Sequence, residues 1–141
     1  HAPVYRDVID VLLEEPGLQH LSFRHATEKV SWHAPCSQLN VLRSADRVPA
    51  LLGLIPGLEI RPLAGNTRCC GAAGAYLLSH PETAARLREP KITAAREMSV
   101  DTLVTSNPGC LLHLREGLSA LDRAIRVCHP LDLLDHYLVG S

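Results

Sequence analysis

The sequence predicts an α/β domain: a mainly parallel four-stranded sheet with flanking helices, in a Rossmann-like layered arrangement. Three observations carry that expectation. Short apolar, strand-like runs alternate with stretches of helical periodicity, which is the pattern of strand–helix–strand crossovers. Pro and Gly punctuate the boundaries between these stretches. Of the 141 residues, 46% are hydrophobic and 21% charged, a balance that supports one buried core and argues against a disordered chain.

The elements follow in chain order. Val4 to Leu13 places Val4, Val8, Ile9, Leu12 and Leu13 at helical spacing, and Pro16-Gly17 closes it. Residues 1–28 are expected to form an N-terminal helix and connector, with residues 29–141 as the domain proper. Lys29 to His33 reads as a strand ended by Pro35. A helix is expected from Ser37 to Ile55, broken at Pro49 and stopped by Pro56-Gly57. Leu58 to Leu63 is the next strand, Ala64 to Arg68 a polar loop, and Gly71 to Leu78 an apolar helix. Ser79-His80-Pro81-Glu82 has capping-box spacing and opens a helix toward Met98, with a kink or restart expected at Pro90. Asp101 to Thr105 forms the third strand. Asn107-Pro108 is a cap and first-turn pair for a helix through Leu121. Ile125 to Cys128 is the fourth strand, and Pro130 to Leu138 the closing helix.

Composition excludes several function classes. Fourteen Lys and Arg against fifteen Asp and Glu give a net charge of −1, too little to draw the chain to nucleic acid or anionic lipid. Trp32 stands alone, so there is no aromatic platform for single-stranded nucleic acid. No apolar run reaches the ~18 residues of a membrane span. The start at His1-Ala2-Pro3 has neither an initiator Met nor a secretory pattern, so the expectation is a processed or excised piece of a cytoplasmic protein. Gly71 to Gly74 lacks phosphate-binding spacing, and no carboxylate pair stands ready for acid–base work.

The cysteines are the chemical signal. There are five, at positions 36, 69, 70, 110 and 128, and an odd count without a secretory signal points to metal or redox use. Cys36 follows the first strand, Cys69 and Cys70 the second, and Cys110 the third. Each therefore falls between a strand's carboxyl end and the next helix, the edge where open parallel sheets build ligand sites. Helix N-termini favour thiolate there, and grouped thiolates repel unless a cation shares them. Cys36, Cys69, Cys70 and Cys110 are the candidate metal ligands. His113, one turn after Cys110 on the same helix face, is a candidate further ligand or supporting donor. His129 ends the fourth strand at the same edge and is a candidate neighbour. His33 is expected to hydrogen-bond to its loop, and Cys128 to pack as a small hydrophobe.

The succession His33-Ala34-Pro35-Cys36, Cys69-Cys70-Gly71-Ala72-Ala73-Gly74, Asn107-Pro108-Gly109-Cys110-Leu111-Leu112-His113 and His129 resembles the cysteine-rich CCG domain. It is most similar to the C-terminal CCG domain of glycolate oxidase iron-sulfur subunits. Lactate-utilisation iron-sulfur proteins and heterodisulfide reductase B-type subunits are more distant. The resemblance runs from about Lys29 to Leu138. It implies an iron–sulfur cluster on the four cysteines and a non-catalytic, electron-transfer role in a 2-hydroxyacid oxidoreductase. It also implies flavin-containing oxidase subunits and the rest of its own iron-sulfur subunit as partners, and a peripheral link to an electron acceptor at the inner face of the membrane. One departure stands out. Where heterodisulfide reductase-type domains carry Cys-x-x-Cys, this sequence has Asn107 and Cys110. Four thiols suit a [4Fe–4S] cubane or tetrahedral zinc rather than a five-thiol cluster. A structural zinc or interaction module and a metal-free thiol–disulfide reductase remain the alternatives.

Overall fold

A strand buried at every position needs cover on both faces, and the central strand here is of that kind. The computed structural model describes residues 8–34, 47–64, 79–119 and 124–140. Its strands are β1 (Lys29–His33), β2 (Glu59–Pro62), β3 (Thr102–Thr105) and β4 (Arg126–Cys128). They lie in the order β2-β1-β3-β4, and every pairing is parallel. All four residues of β3 are buried, whereas β2, at the sheet edge, is mostly exposed. Pro62 ends β2, a place where the missing N–H leaves no central ladder bond unmade.

The helices are α1 (Val8–Leu13), α2 (Arg47–Leu52), α3 (Pro81–Glu97), α4 (Pro108–Leu118) and α5 (Pro130–Tyr137), with a 3-10 turn at Pro16–His20. Strand alternation sorts them into two layers. Val30 and Val104 point into a core shared with Ile9 of α1, Leu51 and Leu52 of α2, and Leu133 and Leu134 of α5. Leu103 and Val127 point the other way, onto Ile92 and Ala95 of α3 and Leu114 and Leu118 of α4. Leu18 and Ala26 join the first core, and the backbone around Phe23 bridges to Leu138. The chain before β1 thus packs into the same body.

The chain steps from β1 outward to β2, then returns across the sheet to β3. The direction of winding reverses between β1 and β3, and at such a reversal the carboxyl ends of the two strands open a crevice. In this chain those ends are His33 and Thr105, which sit opposite each other in the ladder.

The elements match the expected series, with four local corrections. α2 contains Pro49 instead of breaking there, and the Pro49 carbonyl accepts from the Gly53 N–H at 2.9 Å. α3 runs through Pro90 as one helix of 17 residues. Pro90 removes only a bond toward the Arg86 carbonyl, and both residues are exposed, so water replaces the lost partner. The capping box does not form. His80, not Ser79, is the N-cap of α3, and Pro81 takes the first helical position, where its fixed φ suits the turn. The helix that starts at Pro108 ends at Leu118 with Ser119 as its C-cap, three residues before the expected Leu121; the expected helical stretches over 37–46 and 71–78 lie outside the described residues.

Two turns make direct demands on single residues. Gly57 has φ of +80°, and a Cβ there would lie 2.6 Å from the Ala26 carbonyl oxygen. Gly57→Ala is expected to destabilise the fold by about 1–3 kcal/mol, read as a fall in thermal midpoint. Asn107 caps α4, its side chain accepting from the N–H groups of Gly109 at 2.9 Å and Cys110 at 3.2 Å. Asn107→Ala is expected to lose about 1 kcal/mol while Asn107→Ser keeps most of it, as denaturant titration of the two variants would measure.

Candidate metal centre

Cys36, Cys69 and Cys70 lie outside the described residues. Cys36 follows β1 by three residues in the sequence, and the pair at 69 and 70 follows β2. Among the described residues alone, no three His, Cys, Asp or Glu side chains gather as a metal would need.

Cys110 is the third residue of α4, directly beyond β3, and it is buried. Asn107 fixes this turn by binding two of the free N–H groups that open the helix. Asn107, three residues before Cys110, is therefore a structural cap. Cys128 differs in every respect. It ends β4 opposite Val104 and packs against the core on the other face of the sheet from Cys110. Burial pushes its thiol above the ordinary range, with nearby Arg126 pulling weakly the other way. A protonated, half-buried thiol of this kind behaves as a small apolar side chain, as expected from the sequence.

His33 and Thr105 close the crevice between β1 and β3. Val30 and Trp32 belong to the first core, so alternation turns His33 to the α3/α4 side. His33 is 2% exposed, and its Nδ1 lies 3.1 Å from the Thr105 hydroxyl. Its Nε2 is buried without a hydrogen-bond partner among the described residues. Burial, aided by the charge of Lys91, pushes the imidazole down to about 3, so the ring is neutral at ordinary pH. Lys91, on α3, is itself 1% exposed. Sequence reasoning passes over Lys91, although a signal exists. It stands seven residues after Ala84 and four before Ala95, on the buried stripe of α3.

His113 is the second buried histidine. Its Nε2 donates to the Ala84 carbonyl at 2.9 Å, and its Nδ1 faces the Arg88 guanidinium at 3.4 Å. Arg88 also donates to the His113 carbonyl at 3.1 Å and pairs with Glu116 at 3.7 Å. Both ring nitrogens are thus engaged by α3, and the side chain ties α3 to α4. His129 caps α5, its Nδ1 accepting from the Leu131 N–H at 3.0 Å. Metal ligation needs a nitrogen lone pair, and these contacts occupy both nitrogens of His113 and Nδ1 of His129.

Known proteins resemble this chain over most of its length. The family model of the cysteine-rich domain CCG matches residues 30–115. The chain is 34% identical over 108 residues to the glycolate oxidase iron-sulfur subunit of Escherichia coli K12, a match covering 77% of this chain and 26% of that one. It is 27% identical over 108 residues to lactate utilization protein A of Shouchella clausii, covering 77% and 45%. The same protein of Anoxybacillus flavithermus is likewise 27% identical over 108 residues, with 77% and 45% covered. The chain thus spans between a quarter and a half of the length of these relatives. With a family match over well more than half its residues, and with Cys36, Cys69, Cys70 and Cys110 all inside the matched span, the chain belongs to the cysteine-rich CCG domain family.

Proposed function

We propose that this chain is the electron-transfer module of an iron-sulfur subunit in a 2-hydroxyacid oxidase of the glycolate or lactate type. It holds a [4Fe–4S] cluster on Cys36, Cys69, Cys70 and Cys110 at the carboxyl edge of the sheet. The observation that carries this reading is the family match over residues 30–115, which includes those four cysteines and excludes Cys128. The names of two relatives, the glycolate oxidase iron-sulfur subunit and lactate utilization protein A, support the substrate class.

The donor chemistry of the residues present fits such a group. Cys110 supplies a soft sulfur donor in the first turn of α4, directly beyond β3. The buried Nε2 of His33, without a partner among the described residues, offers a polar contact on that side of the sheet, which suits a sulfur cluster. His113 stands outside the ligand set, because α3 engages both its nitrogens. A bound cluster supplies reversible one-electron storage. The work of the chain is to hold the thiolates, through the Asn107 cap and the strand ends, and to shield them from water. Flavin-containing oxidase subunits and the rest of the same iron-sulfur subunit are the partners in this reading. The assembly is placed in the cytoplasm, in peripheral contact with a membrane electron acceptor. Among the described residues, no helix is long and apolar enough to cross a membrane.

Anaerobic purification with metal and acid-labile sulfide analysis tests the reading. Iron with sulfide is expected; zinc without sulfide would replace it with a structural zinc module, and neither would favour thiol–disulfide chemistry. Ser at position 36, 69, 70 or 110 is expected to abolish or strongly reduce the bound iron, since a hydroxyl is a poor soft-metal ligand. Cys128→Ser is expected to keep it, at about 1 kcal/mol of stability. Metal content that falls in Cys128→Ser and persists in Cys110→Ser would reverse the assignment. Removing the metal is expected to leave most of the helical circular dichroism intact, because both core clusters are built mainly from Leu, Val, Ile and Ala side chains and need no metal to collapse.

A further inference from the structure

The hydrogen bonds at His33 determine which of its nitrogens carries the proton. The Thr105 side chain is buried, at 1% exposure, and its hydroxyl bonds to His33 Nδ1 at 3.1 Å. A buried hydroxyl proton left without an acceptor costs about 1–3 kcal/mol. Nδ1 is the acceptor at hand, so Thr105 donates and Nδ1 receives. The ring is neutral, since burial holds it far below its ordinary titration range. The remaining proton then sits on Nε2, the atom that is buried and unpartnered among the described residues. The described fold thus keeps an unused N–H donor at the carboxyl edge of β1, in the crevice where winding reverses and three residues ahead of Cys36.

An unsatisfied buried donor is costly, and native structures tolerate few of them. Metal ligation would need a lone pair on Nε2, which this tautomer does not have. A sulfur anion needs the opposite, a proton. The second observation is charge. Lys91 is buried on α3, on the side of the sheet to which His33 turns, and its positive charge acts on that ring. That charge helps to keep the ring neutral, so the donor on Nε2 stays available to an anion across ordinary pH.

Resting on the function proposed above, we infer that His33 is a positioning residue whose Nε2–H donates a hydrogen bond to a thiolate or sulfide sulfur of the group bound at this edge, with Thr105 fixing the tautomer. Hydrogen bonds to sulfur favour the more negative, reduced state of a cluster and raise its potential. His33 therefore tunes the centre without ligating it.

The test has two independent readouts. In the metal-free 141-residue chain, ¹⁵N chemical shifts are expected to show His33 protonated at Nε2 at neutral pH. A proton on Nδ1 would overturn the inference whatever the chain binds. In the same chain loaded anaerobically with iron and sulfide, His33→Leu is expected to keep iron and sulfide per chain but lower the midpoint potential. His33→Gln, whose amide donates from about the place of Nε2, is expected to restore much of the shift. Thr105→Val, which keeps the ring and frees the tautomer, is expected to lower the potential by a smaller amount, and it serves where His33→Leu fails to fold. Unchanged potentials in the variants that load would overturn the inference, as would loss of iron in His33→Leu and His33→Gln together, which would make His33 a ligand. A wild-type chain that takes up no iron and sulfide would instead defeat the proposed function, while the tautomer result would still stand on its own.

Discussion

The fold depends on one constraint: a parallel sheet must be covered on both faces, so its strands all end at the same uncovered edge. β3 shows the constraint at its strictest, with four buried residues, of which Leu103 and Val104 enter two separate cores. Once helices occupy both faces, the space that remains for polar chemistry is at the carboxyl ends of the strands. There the chain must satisfy its buried polar atoms by specific contacts. Asn107 does this for the opening turn of α4 and His129 for that of α5. His33 and Thr105 do it across the β1–β3 ladder. These contacts belong to the scaffold and need no metal.

Much of this is legible in the sequence because each element is marked by its own residues. Lys29 to His33 is found as a strand with the expected limits, and the other three strands differ by one or two residues at their ends. The Asn107-Pro108 start of α4 is found as expected. Three of the differences have a common origin in proline. Pro49 reads as a break and Pro90 as a kink or restart, yet at Pro90 one N–H is missing on an exposed helix face, where water meets the Arg86 carbonyl that loses it. Ser79 fails as a cap for a related reason. Pro81, preorganised for the first helical position, draws the boundary one residue forward and leaves His80 as the cap.

The site is legible in part, and the division follows the kind of information each residue carries. Strand assignment puts Cys128 at the end of β4 and Cys110 just beyond β3, and packing then sets them against opposite faces of the sheet. It cannot say which histidine nitrogens are occupied, because that depends on contacts between elements far apart in sequence. His113 attracts notice by its spacing from Cys110, but Ala84 and Arg88, on a different helix, decide its role. Lys91 escapes notice because a lysine on a helix is usually solvated. Its burial becomes apparent only when α3 is seen against the sheet.

The contrast between the two buried histidines separates scaffold from site. Both rings face the helical layer formed by α3 and α4, and both are almost wholly removed from water. At His113 both ring nitrogens meet groups inside the described fold: one gives to Ala84 and the other faces Arg88. At His33 only Nδ1 does, through Thr105. Packing strain does not explain the difference, because β1 and β3 are regular in register through His33 and Thr105. A half-satisfied imidazole at the end of a well-formed ladder is costly, and a partner from beyond the scaffold would remove that cost. In the function proposed above, the cysteines that bracket this edge in the sequence hold such a partner, and a sulfur anion would accept from the donor.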